Sequence, residues 1–314
     1  MSINDNKEEG KMLENKLYGC VVPIVTPLTD DQKVDVASLE SLTEYLIGKG
    51  IPCLYPNGTT GEMLMLSVAD RKLVAETVVK KSAGRARVYV QTGARSLEDT
   101  LELSKHAVEI GADGIGVVTP SYFKMSDDAL VAFYQKVSKN LPADFPIYMY
   151  GIPQCSVNDI NLYVAEKVAE TCPNVVGIKY SYPNMSRMLE MTNIRNNTFS
   201  VLCGPDELYH VLMCGGGDGT VSGNAQVIPE HYVAIGKAIE EGDMEKARLI
   251  QKRTTMLNNI LCAKNNISCY KVMLKHMGII SGTAMKEPLV GIDEAYAKEL
   301  IDTMEKNHFR EVIL

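Results

Sequence analysis

The sequence predicts an α/β fold, a (β/α)8 TIM barrel over residues 17–242 with a C-terminal helical region over 243–314. Three observations carry this. Eight short β-rich runs recur at fairly regular intervals, with helical periodicity in the stretches between them. Several runs are apolar at consecutive positions, as strands covered on both faces are, and each ends in Gly, Pro, Thr or Ser rather than in a tight hairpin turn. After Pro229 the strand signal stops and only amphipathic helical pattern remains.

Taken in order, "GCVVPIVTP" is followed by the helical "SLESLTEYLIGKG", "GIPCLYP" by "SVADRKLVAETVVKKSAG", "RVYVQTG" by "SLEDTLELSKHAVEIGAD", and "GIGVVTP" by "SDDALVAFYQKVSKNL". The remaining strand runs are "FPIYMYGIP", "NVVGIKY", "FSVLCGP" and "DGTVSG". Eight such units are the number a closed parallel barrel needs. The rival, a doubly wound open sheet, normally carries a glycine-rich nucleotide loop after its first strand, and "VVPIVTPLTDD" has none. Beyond Pro229, "EHYVAIGKAIEEGDMEKARLIQKRTTMLNNILCAK", "SCYKVMLKHMG" and "DEAYAKELIDTMEKN" read as amphipathic helices, the first closing the eighth unit and the others forming the appendage. Residues 1–16 are polar and expected to be poorly ordered.

Composition narrows the partners. With 46% hydrophobic and 23% charged residues, the 314-residue chain is that of a soluble globular protein. Its net charge of −7 includes no basic run with interleaved aromatics, which disfavours nucleic acid. No apolar stretch approaches a membrane span, and "MSINDNKEEGKMLENK" lacks the apolar segment of a signal peptide, so a cytoplasmic location is expected. The eight cysteines form no CxxC pair, which fits reduced thiols. The five histidines show neither HxH nor HExxH spacing, so no metal site is expected.

In a barrel of this kind the chemistry forms where the strands end. That rule selects Thr59 and Thr60, Tyr122, Tyr150, Lys179, and Asp206 with Glu207. Lys179 ends "NVVGIK", where desolvation disfavours an ammonium and frees an amine to attack a carbonyl. The same lysine could instead pack its stem on the barrel and reach solvent. Tyr150 ends the preceding run and would supply the proton relay of Schiff-base chemistry, or else be a core tyrosine tied to backbone. Residues 58–62, "GTTGE", offer two hydroxyls and closely spaced N–H groups from Gly58 onward, suited to a small carboxylate. A carboxylate there, with a carbonyl directed at Lys179, describes an α-keto acid such as pyruvate.

These residues resemble the N-acetylneuraminate lyase and dihydrodipicolinate synthase superfamily of class I pyruvate-dependent aldolases. The resemblance runs from about Tyr18 to Leu289 through "VTPLTDDQKVD", "GTTGE", "VVTPSY", "YGIP", "GIKYS", "GPDE" and "GGGDGTVSGNAQVIPE". It implies a covalent imine between Lys179 and pyruvate with no metal or organic cofactor, proton shuttling by Tyr150, and Thr59 and Thr60 relaying a proton and gripping the carboxylate. It also implies a homo-oligomer, dimer or tetramer, in which Tyr122 serves the neighbouring subunit, and Gly204 and Val221 lining the pocket through their backbones.

Departures bear on the substrate. Where dihydrodipicolinate synthases carry an arginine for the carboxylate of aspartate semialdehyde, "YGIPQCS" has Cys155, and a neutral thiol cannot replace a guanidinium. "GPDE" resembles lyases of sialic acid, and Asp206, Glu207 and Ser181 suit a hydroxylated substrate, although acidic residues also favour a helix start. Gly223 departs from those lyases, which tend to have serine there. The expectation is therefore a lyase cleaving a 2-keto-3-deoxy sugar acid to pyruvate and an aldehyde. The alternatives are dihydrodipicolinate synthase condensing pyruvate with aspartate semialdehyde and, less favoured, a metal-dependent aldolase or a non-catalytic binding barrel.

Overall fold

The computed structural model describes residues 16–313. The polar segment expected over 1–16 lies, apart from Lys16, outside the described residues. Eight strands form one closed barrel in sequence order: β1 (Gly19–Val22), β2 (Cys53–Leu54), β3 (Arg87–Gln91), β4 (Gly114–Val118), β5 (Ile147–Gly151), β6 (Val175–Tyr180), β7 (Ser200–Cys203) and β8 (Gly219–Val221). Neighbours run parallel, which is why their residues are buried almost throughout rather than alternately.

The helices start where short polar side chains cap them. Asp35 caps α1 (Val36–Gly48), Ser67 and Asp70 form a capping box on α2 (Val68–Ser82), and Ser96 and Ser126 cap α3 (Leu97–Glu109) and α4 (Asp127–Lys139). Four residues, Pro153–Ser156, make α5, and Asn161 and Asn184 cap α6 (Leu162–Thr171) and α7 (Met185–Thr192). A 3₁₀ turn, Asp206–Leu208, leads into α8 (Tyr209–Cys214).

The amphipathic stretch expected as one helix over 230–264 is two, α9 (Pro229–Glu240) and α10 (Met244–Leu261). Gly242 takes a left-handed φ of +76°, and the Asp243 side chain accepts the Lys246 N–H to cap the second helix. The sequence "EGD" is thus a stop followed by a start. After them come α11 (Ser268–His276) and α12 (Glu294–Lys306).

The chain divides into two compact units, one of residues 16–18 and 91–220 and the other of 19–90 and 221–313. The first has its core in Ile115, Val117, Met149, Ile178, Val201 and Leu202. In the second, Val21, Val22, Leu39, Val74, Tyr232 and Leu257 are buried. There the loop after β1 is tied to the segment after α11: Ser281 donates from its hydroxyl to Asp35 at 2.6 Å, and Gln32 donates from its amide to the Met285 carbonyl at 3.0 Å.

His231, buried in α9, gives this unit an acid sensitivity. Burial lowers its pKa from 6.5 to about 4, with Glu230 opposing and Arg253 adding to the shift. Because the unfolded chain binds the proton more readily, stability is complete above pH 6.5 and falls as pH drops toward 4, by about 3 kcal/mol. Urea unfolding at pH 7 and pH 4.5 is expected to show this loss in the unsubstituted protein and a much smaller one in His231→Leu. Parallel losses in both would assign the acid sensitivity elsewhere.

Among the described residues no helix is long and apolar enough to cross a membrane.

Candidate active site

In the unit that holds β4 to β7, Lys179 is only 4% exposed. Parallel register pairs it with Tyr150 across β5 and β6, and its Nζ lies 3.8 Å from the centroid of the Tyr150 ring. The amine therefore rests on the π face of the phenol, a surface that favours a cation and also packs well against a neutral amine. Backbone bonds continue past the strand ends and fix the surroundings. Thr119 N–H donates to the Tyr150 carbonyl, Ser181 N–H to that of Gly151, and Gly204 N–H to that of Tyr180, at 2.8–3.1 Å.

Ser181 and Gly204 are pressed together. A Cβ added at Gly204 would fall 2.0 Å from Ser181 Oγ and 2.7 Å from its Cα, so only glycine allows the serine this position. Asp206 is buried in the first turn of the 3₁₀ segment while Glu207 is exposed. Burial pushes the Cys203 thiol up to about 12, so it stays protonated, and none of the eight cysteines is in a disulfide.

Cys155 lies exposed in α5, and its thiol is raised by partial burial, so it carries no charge at neutral pH. Arg187, the arginine on the helix that follows Lys179, is engaged: it pairs with Asp159 and donates to Tyr180 Oη at 2.8 Å. Burial, reinforced by the charge of Asp159, pushes the Tyr180 phenol up to about 12. Tyr122 stands apart from this cluster's buried members. It is 82% exposed with a left-handed φ of +76° and meets Phe123, itself 75% exposed, edge-on at 5.1 Å. A bulky residue adopts that conformation only at a cost in backbone energy.

In the other unit, Gly58, Thr59 and Thr60 form a tight turn after β2. The N–H groups of Gly61 and Met63 donate to the Gly58 carbonyl, and that of Glu62 to the Thr59 carbonyl. The amides of Gly61, Glu62 and Met63 are thus engaged within the turn. Val221 ends β8 and is buried. Two residues on, a Cβ at Gly223 would lie 3.3 Å from Thr60 Oγ1 and 3.3 Å from Tyr270 Oη, so a serine there would crowd both. Among the described residues no group of three or more His, Cys, Asp or Glu is placed to hold a metal ion.

The sequence reading missed Tyr270 and Lys271. Both lie on α11, within the stretch expected as a C-terminal helical appendage. A signal existed, since Lys271 is followed three residues on by the buried Leu274 and so falls on the helix's apolar face.

The structure is thus a closed (β/α)8 barrel that sets a buried Lys179 near the end of the sixth strand beside Tyr150 on the fifth. The Dihydrodipicolinate synthetase family matches residues 16–307, and the chain belongs to it. Its members are pyruvate-dependent lyases and synthases, and this chain is an enzyme of that kind. A 4-hydroxy-tetrahydrodipicolinate synthase of Sorangium cellulosum is 33% identical over 296 residues, covering 94% of this chain and 97% of its own. Among solved structures, the prophage protein YagE of E. coli K12, a dihydrodipicolinic acid synthase family member in complex with pyruvate, superposes with a TM-score of 0.89 at 26% identity over 93% of this chain and 99% of its own. A catalytic lysine mutant of Ruminococcus gnavus sialic acid aldolase gives a TM-score of 0.87 at 25% identity over 94% and 98%.

Proposed function

We propose that the enzyme cleaves a 2-keto-3-deoxy sugar acid reversibly to pyruvate and a hydroxylated aldehyde. Lys179 Nζ attacks the keto carbon and water leaves, forming an imine. Cleavage of the bond between C3 and C4, with the C4 hydroxyl proton passing to the Tyr150 oxygen, releases the aldehyde and leaves an enamine; Tyr150 returns that proton to C3, and water then frees pyruvate and restores the amine. Thr59 and Thr60 grip the carboxylate with Gly58 allowing close approach, and Gly204 and Val221 line the pocket through their backbones. The observation that carries the reaction is the buried amine of Lys179 against the ring of Tyr150.

For the substrate, the support is the pairing of a neutral Cys155 with polar groups that suit hydroxyls: Ser181 against Gly204, and the carboxylates of Asp206 and Glu207. Arg187, already paired with Asp159, is poorly placed to substitute for a semialdehyde-binding arginine. A second reading, condensation of pyruvate with aspartate semialdehyde, is favoured by the Sorangium synthase relative.

A panel assay separates them. Pyruvate release is expected from 2-keto-3-deoxygluconate or 2-keto-3-deoxygalactonate, with N-acetylneuraminate as a third arm, and little condensation with aspartate semialdehyde. Exclusive activity in the last arm would overturn the reading of Cys155. We assign Tyr122 to the active site of a neighbouring subunit in a homodimer or homotetramer. Specific activity should then fall as dilution yields monomers, whereas full activity in a verified monomer would refute the assignment.

A further inference from the structure

Glu62, the last residue of the "GTTGE" turn, is held in a way that the proposed chemistry leaves unused. Its φ is +61°, a left-handed conformation that a residue with a Cβ adopts at a cost the surroundings must offset. Its carboxylate is fully buried and meets Lys271 Nζ at 2.5 Å, and Lys271 is fully buried too. The second carboxylate oxygen accepts the Lys286 N–H at 2.7 Å, while Lys271 donates to the Ala284 carbonyl at 2.6 Å. Lys286 in turn donates from Nζ to the Gln32 carbonyl at 2.6 Å. One buried charge pair thus clamps three segments: the turn, helix α11 and the loop residues Ala284 and Lys286.

The same helix reaches the turn a second time. Tyr270, the neighbour of Lys271, sets its hydroxyl beside the space at Gly223 that Thr60 Oγ1 also borders. Two successive residues of α11 therefore bear on a five-residue turn in which the Gly61 and Glu62 amides are held by the Gly58 and Thr59 carbonyls.

Burying a lysine and a glutamate together is a weak source of stability, because desolvation of two ions offsets most of their attraction. What such a pair does supply is a single allowed geometry, since the turn cannot shift without separating two charges where no water reaches them. We infer that Lys271 is a positioning residue: through Glu62 it fixes the Thr59–Thr60 turn in the shape that receives the pyruvate carboxylate. This rests on the assignment of that turn to pyruvate made above.

The experiment is borohydride trapping of pyruvate on the full-length protein across a range of pyruvate concentrations. Variants are Glu62→Gln, which keeps an oxygen for the Lys286 N–H but removes the charge, and the double variant Glu62→Gln with Lys271→Met, which leaves no unpaired buried ion. Thermal unfolding checks that each is folded, and Glu62→Gln is the fallback should the double variant fail to fold. The expected result is a rise in half-saturating pyruvate of about tenfold or more in both, with the extent of trapping at saturation within about twofold of the unsubstituted protein. Folded variants with unchanged half-saturation would overturn the positioning role while leaving the pyruvate assignment standing. Absence of trapping in the unsubstituted protein would overturn both.

Discussion

Lys179→Ala is expected to abolish turnover, by about 10⁴-fold or more, because the variant has no amine with which to form the imine through which C–C cleavage runs. The fold should survive. The side chain lies over the Tyr150 ring, and trimming it to alanine leaves β6 paired with β5 and β7 through backbone bonds that do not depend on it. Steady-state pyruvate release together with thermal unfolding checks both halves. Near-normal turnover in a folded variant would remove Lys179 from the mechanism.

The second large effect is expected from Tyr150→Phe. The lysine meets the face of this ring, and phenylalanine keeps that face while removing the hydroxyl. Packing around Lys179 is therefore preserved, and what is lost is the proton carrier, a role worth about 10² to 10⁴ in rate. Imine formation should still be detectable by trapping but slowed, and kcat should fall far more than the fraction of Lys179 that can be trapped at long times. A variant with unchanged kcat would show that the proton travels by another group. A variant that traps nothing even at long times would show that the phenol is needed for imine formation itself.

The barrel was legible because parallel strands are buried on both faces, so their sequences run apolar without alternation, and the polar residue that ends each run marks the rim. That logic brought Lys179 and Tyr150 forward, and the register across β5 and β6 sets them side by side. The break between α9 and α10 was harder to see because helical periodicity continues through it. Only Gly242 and the capping side chain of Asp243 interrupt the chain, and amphipathic pattern takes no account of a backbone angle.

Lys271 escaped for a related reason. Lysine in an amphipathic helix is ordinarily a solvent residue, and nothing local identifies the glutamate 209 positions earlier that neutralises it. The same limit applies to the "GTTGE" turn. Its composition announces hydroxyls and N–H groups, but which N–H groups remain for a ligand depends on turn hydrogen bonds that only the folded backbone reveals. Tyr122 lies between the two cases: its place after the fourth strand could be read, whereas its exposure and left-handed backbone could not.

The central claim is that pyruvate becomes covalently bound at Lys179. Incubation with pyruvate and borohydride, followed by peptide mass spectrometry, tests it most directly. The account predicts one reduced pyruvyl group per chain, located on the peptide containing Lys179 and absent from Lys179→Ala. Labelling of a different lysine, or no labelling in a protein that nevertheless turns over, would contradict it.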